Sequence, residues 1–163
     1  MDVSIDEGTK SQAPNPKFLY TTSVFYFWIA TGVAFVGSIL TKLIADAYLT
    51  ERIAIVGSFI GLHPVANDGV AFGLKLPSGI QELAIVLALV FVTVLAFRSD
   101  RRTGTQIGFG MIVGGALGNV ADRFRDGIVT DFFQIGSFPV FNVADSCITL
   151  GVALLLLMQL RQR

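Results

Sequence analysis

The segment that decides the fold is Glu82–Phe97, with the sequence ELAIVLALVFVTVLAF. Glu82 is its only charged residue, and nearly every other position is aliphatic or aromatic. A helix that crosses the hydrocarbon core of a bilayer needs roughly 20 mostly apolar residues. Over the whole chain of 163 residues, 53% are hydrophobic and 15% are charged, whereas an average soluble domain is about 25% charged. The sequence therefore predicts an integral membrane protein.

Three further segments qualify or nearly qualify as spans, namely Val24–Ile44, Ile107–Val120 and Ala144–Leu160. The middle one is short and rich in glycine, which indicates a helix packed inside a bundle, because small residues let helix backbones approach closely. We therefore predict an all-α polytopic membrane protein with four transmembrane helices. Residues 21–163 would form one four-span domain, and the polar residues 1–20 would form a disordered cytoplasmic tail.

The positions of lysine and arginine predict the orientation in the membrane. Arg98, Arg101 and Arg102 lie in the link between the second and third predicted spans, and further basic residues flank the first and last spans. With four spans these places lie on one side, so both termini are predicted to be cytoplasmic. The outer loops would cover residues 46–81 and 121–143. In the first outer loop, the β-branched segment Arg52–Ile60 predicts a small strand or extended element.

Composition excludes several classes of protein. Twelve basic residues are balanced by twelve acidic ones, and no basic face stands out, which argues against nucleic-acid binding. One cysteine and one histidine cannot supply a disulfide framework or a zinc finger. We therefore expect neither a metal nor an organic cofactor. The chemistry should lie in the few polar side chains that the membrane tolerates.

Polar side chains gather at two places before residue 125. Asn67–Gly69 is typical of a turn, yet the Val-Ala-Phe-Gly that follows is unusually apolar for an exposed loop. Asn119, Asp122 and Arg123 lie three to four residues apart at the outer end of the third predicted span. They would either mark the end of a helix or point into the bundle, and composition alone does not distinguish these alternatives.

Two carboxylates further along the chain are the strongest candidates for catalysis. Asp131 has apolar neighbours, and Asp145 lies at the start of the fourth predicted span. Asn142 and Asp145 could simply cap that helix, but capping leaves Asp131 unexplained. Two close carboxylates share one proton, so one can take a proton from water while the other polarises a carbonyl. The sequence therefore predicts an aspartic hydrolase, with Asp122 as an alternative partner in the pair.

Four segments together resemble the signature blocks of bacterial lipoprotein signal peptidase, or signal peptidase II. They are Asn67–Gly73, Gly114–Arg123, Val129–Phe132 and Phe141–Ser146, in the order of the family. The resemblance implies an aspartic endopeptidase of the bacterial inner membrane with its active site at the periplasmic face. Its substrates would be prolipoproteins that already carry a diacylglyceryl group, cut just before the lipidated cysteine.

The resemblance also implies roles for individual residues. Asp131 and Asp145 match the catalytic pair. A second group would surround the substrate, and two residues would support the site, with Asp122 in a structural ion pair or hydrogen bond. The substrate-binding group is Asn67, Gly69, Phe72, Asn119, Arg123 and Asn142, and the supporting residues are Lys42 and Asp122. We expect lipid-modified prolipoproteins and membrane lipids as partners, no nucleic acid, and a monomer.

One position departs from the family. An aspartate usually precedes the Thr/Ser-Lys pair of the first span by about one turn, and here Ser38 stands at that position before Thr41 and Lys42. Ser38 therefore leaves open whether any carboxylate supports Lys42. Two other hypotheses remain at this point. One is a small transporter or channel that conducts along its rim carboxylates, and the other is a catalytically reduced homologue that only binds lipoproteins.

Overall fold

The computed structural model describes residues 16–69 and 79–161. Within these ranges the chain forms long helices, with short strands between the first and second helices and between the third and fourth. In chain order the elements are α1 (Pro16–Tyr48), β1 (Ile53–Val56), β2 (Ile60–Asn67), α2 (Ile80–Arg98), α3 (Thr103–Asp126), β3 (Val129–Ile135) and α4 (Val143–Leu160).

Three of the described helices are long and apolar enough to cross a membrane. They are α1 over Ser23–Tyr48, α2 over Ile80–Arg98 and α4 over Val143–Leu160. The third predicted span lies inside α3, whose 24 residues correspond to about 36 Å of helix. That length would cross the hydrocarbon core, but glycines and buried polar residues make α3 less apolar than the other helices.

Helix α3 packs against each of the other three helices and forms the centre of the bundle. Its glycines explain how it fits there. A Cβ atom at Gly110 would lie 2.5 Å from the carbonyl oxygen of Phe27 on α1, and one at Gly115 would lie 2.5 Å from the carbonyl oxygen of Ala144 on α4. Since a helix surrounded by other helices has little contact with lipid, α3 does not need an apolar surface all round.

The strands form one antiparallel sheet in the order β1-β2-β3. Strand β2 belongs to the first predicted outer loop and β3 to the second, so the sheet joins the two loops. In the register, Asn67 lies opposite Val129 and Val65 lies opposite Asp131. The pairing is irregular between Leu62 and Val65, where Pro64 lacks the N–H that a regular ladder requires.

Backbone hydrogen bonds connect β3 to the start of α4. The N–H of Phe133 donates to the carbonyl oxygen of Phe141 at 2.7 Å, and the N–H of Phe141 donates back to Phe133 at 3.1 Å. At the other end of β3, Gly127 ends α3 with a φ of 76°, and its N–H donates to the carbonyl oxygen of Arg123 at 2.9 Å. The left-handed conformation suits glycine, and the turn brings β3 beside the helix ends.

Several predicted boundaries need correction. The small extended element predicted at Arg52–Ile60 is present as β1 and the turn that follows it. The sheet is larger than predicted, because β2 pairs with both β1 and β3, and the sequence analysis predicted neither β2 nor β3. Helix α3 ends at Asp126 rather than Val120, so Asp122 and Arg123 lie on a helix and not in a loop. Helix α1 begins at Pro16, inside the predicted tail, and residues 1–15 lie outside the described residues.

Replacing Gly114 with alanine should weaken the packing of α3 on α1. The new methyl group would press into the carbonyl oxygen of Thr31 and lie 2.8 Å from the Cβ of Ala34. Overpacking of this kind costs about 1–3 kcal/mol, so the thermal unfolding temperature in detergent should fall. Gly37→Ala is the matched control, because Gly37 is also helical and its Cβ would have no neighbour within 4 Å. Equal effects of the two substitutions would contradict this packing.

Candidate active site

A cavity of about 690 Å³ opens at the end of the bundle where β3 meets the helices. Its walls come from α2, α3, β3, α4 and the segment that joins β3 to α4. The volume lies within the range of about 300–1,000 Å³ that is usual for ligand pockets. Most of the lining is apolar, and its polar members are Asn67, Asn119, Arg123, Asp131, Asp145, Ser146 and Thr149. Both predicted catalytic carboxylates therefore face the same cavity.

Asp131 lies on β3 with only 2% of its surface exposed. Asn67 donates its amide to Oδ2 at 2.9 Å, and Asn142 donates its amide to Oδ1 at 2.6 Å. Burial is the largest influence on this carboxyl group and raises its pKa above the usual value, and the charge of Asp145 acts in the same direction. The two amide hydrogen bonds and the charge of Lys42 act against this rise without cancelling it.

Asp145 lies in the first turn of α4 and belongs to a reciprocal cap. The backbone N–H of Asp145 donates to Oδ1 of Asn142 at 3.0 Å, and the N–H of Asn142 donates to Oδ2 of Asp145 at 3.2 Å. Oδ1 of Asp145 accepts the amide of Asn119 at 2.8 Å. The capping alternative is thus correct, and the capping carboxylate also faces the cavity. A helix N-terminus is a favourable place for its negative charge.

Asn142 joins the two carboxylates through one buried side chain, which is 0% exposed. Its carbonyl oxygen caps α4, while its amide nitrogen donates to Asp131 and, at 3.1 Å, to Oδ1 of Asn119. Asn119 in turn donates to Asp145. The two asparagines therefore fix the positions of both carboxylates relative to the end of α4.

The family pattern suggests a carboxylate partner for Lys42 on α1, at the position of Ser38. The structure instead provides one on α3. The Nζ of Lys42 lies 3.1 Å from Oδ2 of Asp122 on α3 and donates to Oδ1 of Asn119 at 2.8 Å. Ser38, one turn earlier on α1, donates to the carbonyl oxygen of Ala34 at 2.6 Å. The side chain of Ser38 also packs against Gly118, where a Cβ would lie only 2.7 Å away. Lys42 is thus supported by a carboxylate despite Ser38.

Asp122 is buried with Lys42 and does not line the cavity. It also accepts a hydrogen bond from the backbone N–H of Thr130 at 3.3 Å, which connects the end of α3 to β3. The predicted structural ion pair of Asp122 is therefore present, with Lys42 as its cation. This geometry favours Asp131 over Asp122 as the cavity-facing partner of Asp145.

Arg123 connects α3 to the end of β2. Its Nη2 donates to the carbonyl oxygen of Gly69 at 2.6 Å, and Gly69 donates its N–H to Oδ1 of Asn67 at 3.0 Å. The Nε of Arg123 is buried without a hydrogen-bond partner, so the guanidinium keeps one donor beside the cavity. The predicted site residue Phe72 lies outside the described residues.

Much of the apolar cavity wall was missed by the sequence analysis. It includes Val129 on β3, the segment Phe138–Phe141, and Ile148 and Leu150 on α4. Val129 and Asp131 share one face of a strand, as alternate residues do, but no strand was predicted there. Ser146 and Thr149 follow Asp145 on α4 and were not predicted either.

The fold and the site together define a class of protein. The buried carboxylate of Asp131 and the half-buried carboxylate of Asp145 face one cavity at the end of a helical membrane bundle, which is an arrangement suited to aspartic hydrolysis. The family model for signal peptidase (SPase) II matches residues 29–161 of the chain. The chain therefore belongs to the signal peptidase II family.

Similar proteins agree with this assignment. The lipoprotein signal peptidase of Nostoc punctiforme is 38% identical over 139 residues, a match that covers 80% of this chain and 87% of the relative. The corresponding protein of Aquifex aeolicus is 36% identical, covering 86% of this chain and 88% of the relative. A bacterial membrane enzyme solved by the in meso method at 1.9 Å resolution is 26% identical with a TM-score of 0.70, covering 88% of this chain and 95% of that chain.

These comparisons confirm the resemblance drawn from the four sequence segments. They identify the activity as that of a membrane peptidase of the signal peptidase II type. They also favour this activity over the transporter and channel hypotheses that the sequence left open.

Substitutions of Asn142 should separate its capping role from its contact with Asp131. Asn142→Ala removes the N-cap and should lower the free energy of unfolding by about 0.5–2 kcal/mol. Asn142→Ser retains a capping oxygen, so we expect stability near that of the unchanged protein. Both variants lose the amide donor to Asp131 and should cleave lipidated peptide more slowly. Thermal unfolding and kcat/KM measure the two effects, and full activity of Asn142→Ser would contradict the positioning role.

Proposed function

We propose that the chain removes signal peptides from diacylglyceryl-modified prolipoproteins by cutting just before the lipidated cysteine, with Asp131 and Asp145 activating water. The observation that carries this proposal is the cavity that both carboxylates face, each of them held by asparagine amides. Family membership supports the reaction, and the activity for which the relatives are named, lipoprotein signal peptidase, supports the class of substrate.

The cavity lining suits a substrate that is part peptide and part lipid. One wall is apolar and comes from the segment Phe138–Phe141 and from Ile148 and Leu150 on α4. The acyl chains would lie along that wall, because burial of apolar surface is favourable there. The extended peptide would pass over Asp131 and Asp145 on the polar side. Asn67, Asn119 and Arg123 would hold carbonyl groups of the peptide or the lipid ester.

The two carboxylates have different surroundings, which supports a division of their roles. Burial raises the pKa of Asp131, so this group carries the shared proton and polarises the scissile carbonyl. Asp145, at the N-terminus of α4, is the ionised base and takes a proton from water. The water oxygen bonds to the carbonyl carbon, and the carbonyl oxygen receives the proton of Asp131. The C–N bond then breaks as the leaving nitrogen takes the proton that Asp145 had gained, and one hydroxyl group of the intermediate returns its proton to Asp131, which forms the carboxylic acid product and restores the starting state.

The same proposal gives the chain four membrane passes and places both termini in the cytoplasm. Helix α3 connects the apolar helices α2 and α4 and packs against both, so a fourth pass agrees with its length and position. Arg98, Arg101 and Arg102 lie near the α2–α3 link, at the opposite end of α3 from Asn119 and Arg123. With positive residues inside, the site is at the periplasmic face of the inner membrane. The chain works as a monomer among membrane lipids, without metal or cofactor.

Asp131→Asn and Asp145→Asn should each reduce cleavage of a lipidated prolipoprotein by about 10²–10⁴-fold, the usual effect of losing an acid or base group. An asparagine can neither give nor take the required proton. The assay uses purified protein in detergent with a substrate that carries the diacylglyceryl group. Asp126→Asn is the matched control, since Asp126 lies at the exposed end of α3 in an ion pair with Arg125.

The choice of catalytic pair is also open to direct test. If Asp131→Asn remained active while Asp122→Asn did not, the pair would have to be Asp122 and Asp145. If proton or ion flux in proteoliposomes occurred without any cleavage, the peptidase assignment itself would be wrong. Unchanged accumulation of each variant in the membrane rules out loss of the protein as the cause.

The activity should depend on pH in the direction set by Asp131. Because the pKa of this carboxyl is raised, cleavage should persist above the usual aspartate pKa of about 3.9. It should fall as the pH rises through the raised value, because the carbonyl then loses its proton donor. Measurement of kcat/KM against pH at constant ionic strength should give a bell-shaped profile. Activity that keeps rising with pH would mean that Asp131 does not act as the acid.

A further inference from the structure

The buried and half-buried charges at the two catalytic carboxylates do not cancel when all of them are ionised. Lys42 and Arg123 contribute two positive charges, and Asp122, Asp131 and Asp145 contribute three negative charges. The sum is one negative charge, which a single proton on a carboxyl group would neutralise. Unbalanced charge is costly in a buried site. One shared proton is also the state that hydrolysis by two carboxylates requires.

Among the described residues, charged groups on the neighbouring elements do not alter this count. Glu82 on α2 influences Arg123, but it is exposed and caps the N-terminus of its own helix. Asp46 on α1 points to Arg125 and to Thr130. From β2, the group facing Asp131 is the neutral amide of Asn67.

Lys42 is also linked to Asp145 through a single amide group. Its Nζ donates to Oδ1 of Asn119 at 2.8 Å, and Nδ2 of Asn119 donates to Oδ1 of Asp145 at 2.8 Å. An ammonium group only donates hydrogen bonds, so the oxygen of Asn119 must face Lys42. The amide nitrogen must then face Asp145. Asp122 holds Lys42 in this position, with 1% of the lysine side chain and 6% of the aspartate side chain exposed.

We propose that Lys42 and Asp122 are positioning residues: each cancels the charge of the other beside the catalytic pair, which keeps one proton shared between the two carboxylates, and Lys42 orients Asn119. This inference rests on the proposed function of Asp131 and Asp145. According to this inference, the ion pair affects the reaction in addition to stabilising the fold. Neither residue lines the cavity, so both act through the groups that do.

The two members of the pair should have opposite effects on the pH dependence of cleavage. Lys42→Gln removes a positive charge, so the carboxylates should hold their protons to higher pH and the whole activity profile should move upward. Asp122→Asn removes a negative charge and should move the profile downward. A nearby charge shifts a titration by about 1–3 units, and we expect about one pH unit because Asn119 separates Lys42 from Asp145.

The double variant Lys42→Gln/Asp122→Asn provides the decisive comparison. It restores the original sum of charges, and the glutamine amide is still able to donate to Asn119. The limbs of its kcat/KM profile should therefore return close to those of the unchanged protein. A purely structural ion pair would reduce the amount of folded protein in both single variants and would leave the limbs in place.

The experiment measures kcat/KM against pH for the full-length protein in detergent, using a diacylglyceryl-modified peptide as substrate. The four proteins are the unchanged chain, the two single variants and the double variant. Arg125→Gln is the control for a general effect of charge, because its side chain is 47% exposed and solvent screens exposed charges. Its profile should stay in place.

Specific outcomes would overturn the inference. The inference is wrong if the profiles of the single variants do not move, or if both move in the same direction. It is also wrong if the double variant does not restore the profile. If Lys42→Gln does not fold, Asp122→Asn alone must still shift the profile downward, and Lys42→Arg must leave its limbs unchanged. If Asp131→Asn and Asp145→Asn are inactive but the profiles of the Lys42 and Asp122 variants do not shift, this inference is rejected and the proposed function is retained. A fully active Asp131→Asn variant would instead reject the proposed function.

Discussion

The carboxamide of Asn142 is the contact on which the geometry of the site depends. Its oxygen caps α4, and its nitrogen donates to Asp131 and Asn119. An amide has its donor and acceptor at opposite ends of one rigid plane, so fixing the cap also fixes the direction of the donor. The carboxylate of Asp131 is therefore held in place by a contact with the first turn of α4. Asparagine combines a good N-cap oxygen with a separate NH₂ donor on the same short side chain, which aspartate, an equally good cap, does not have when ionised.

A second constraint comes from the centre of the bundle. Helix α3 approaches α1 and α4 closely because glycines at its contact faces leave room for neighbouring backbone atoms. This close approach brings Asn119 of α3 within hydrogen-bond distance of both Lys42 of α1 and Asp145 of α4. Packing in the middle of the bundle and polar contacts at its end thus depend on the same helix.

The sequence predicts the helices better than the sheet, for a physical reason. Apolar runs such as Glu82–Phe97 are local, whereas β3 is recognisable only by its partner β2, and Asn67 lies 64 residues before Asp131. The resemblance to a known family supplied most of the site residues. It did not supply the partner of Lys42, because Asp122 belongs to a distant part of the chain and the expected aspartate position holds Ser38. It also gave no sign that Asp145 would cap a helix and face the cavity at the same time.

The sheet that joins the two outer loops has a consequence for the order of biosynthesis. Strand β2 is made before α2, whereas β3, with Asp131, is made after α3, and Asp145 follows only at the start of the last helix. A chain that is still emerging from the ribosome with α3 as its newest helix contains Asn67 and Asn119 but neither carboxylate of the pair. On the proposed function, hydrolysis therefore has to wait until the start of α4 has been made.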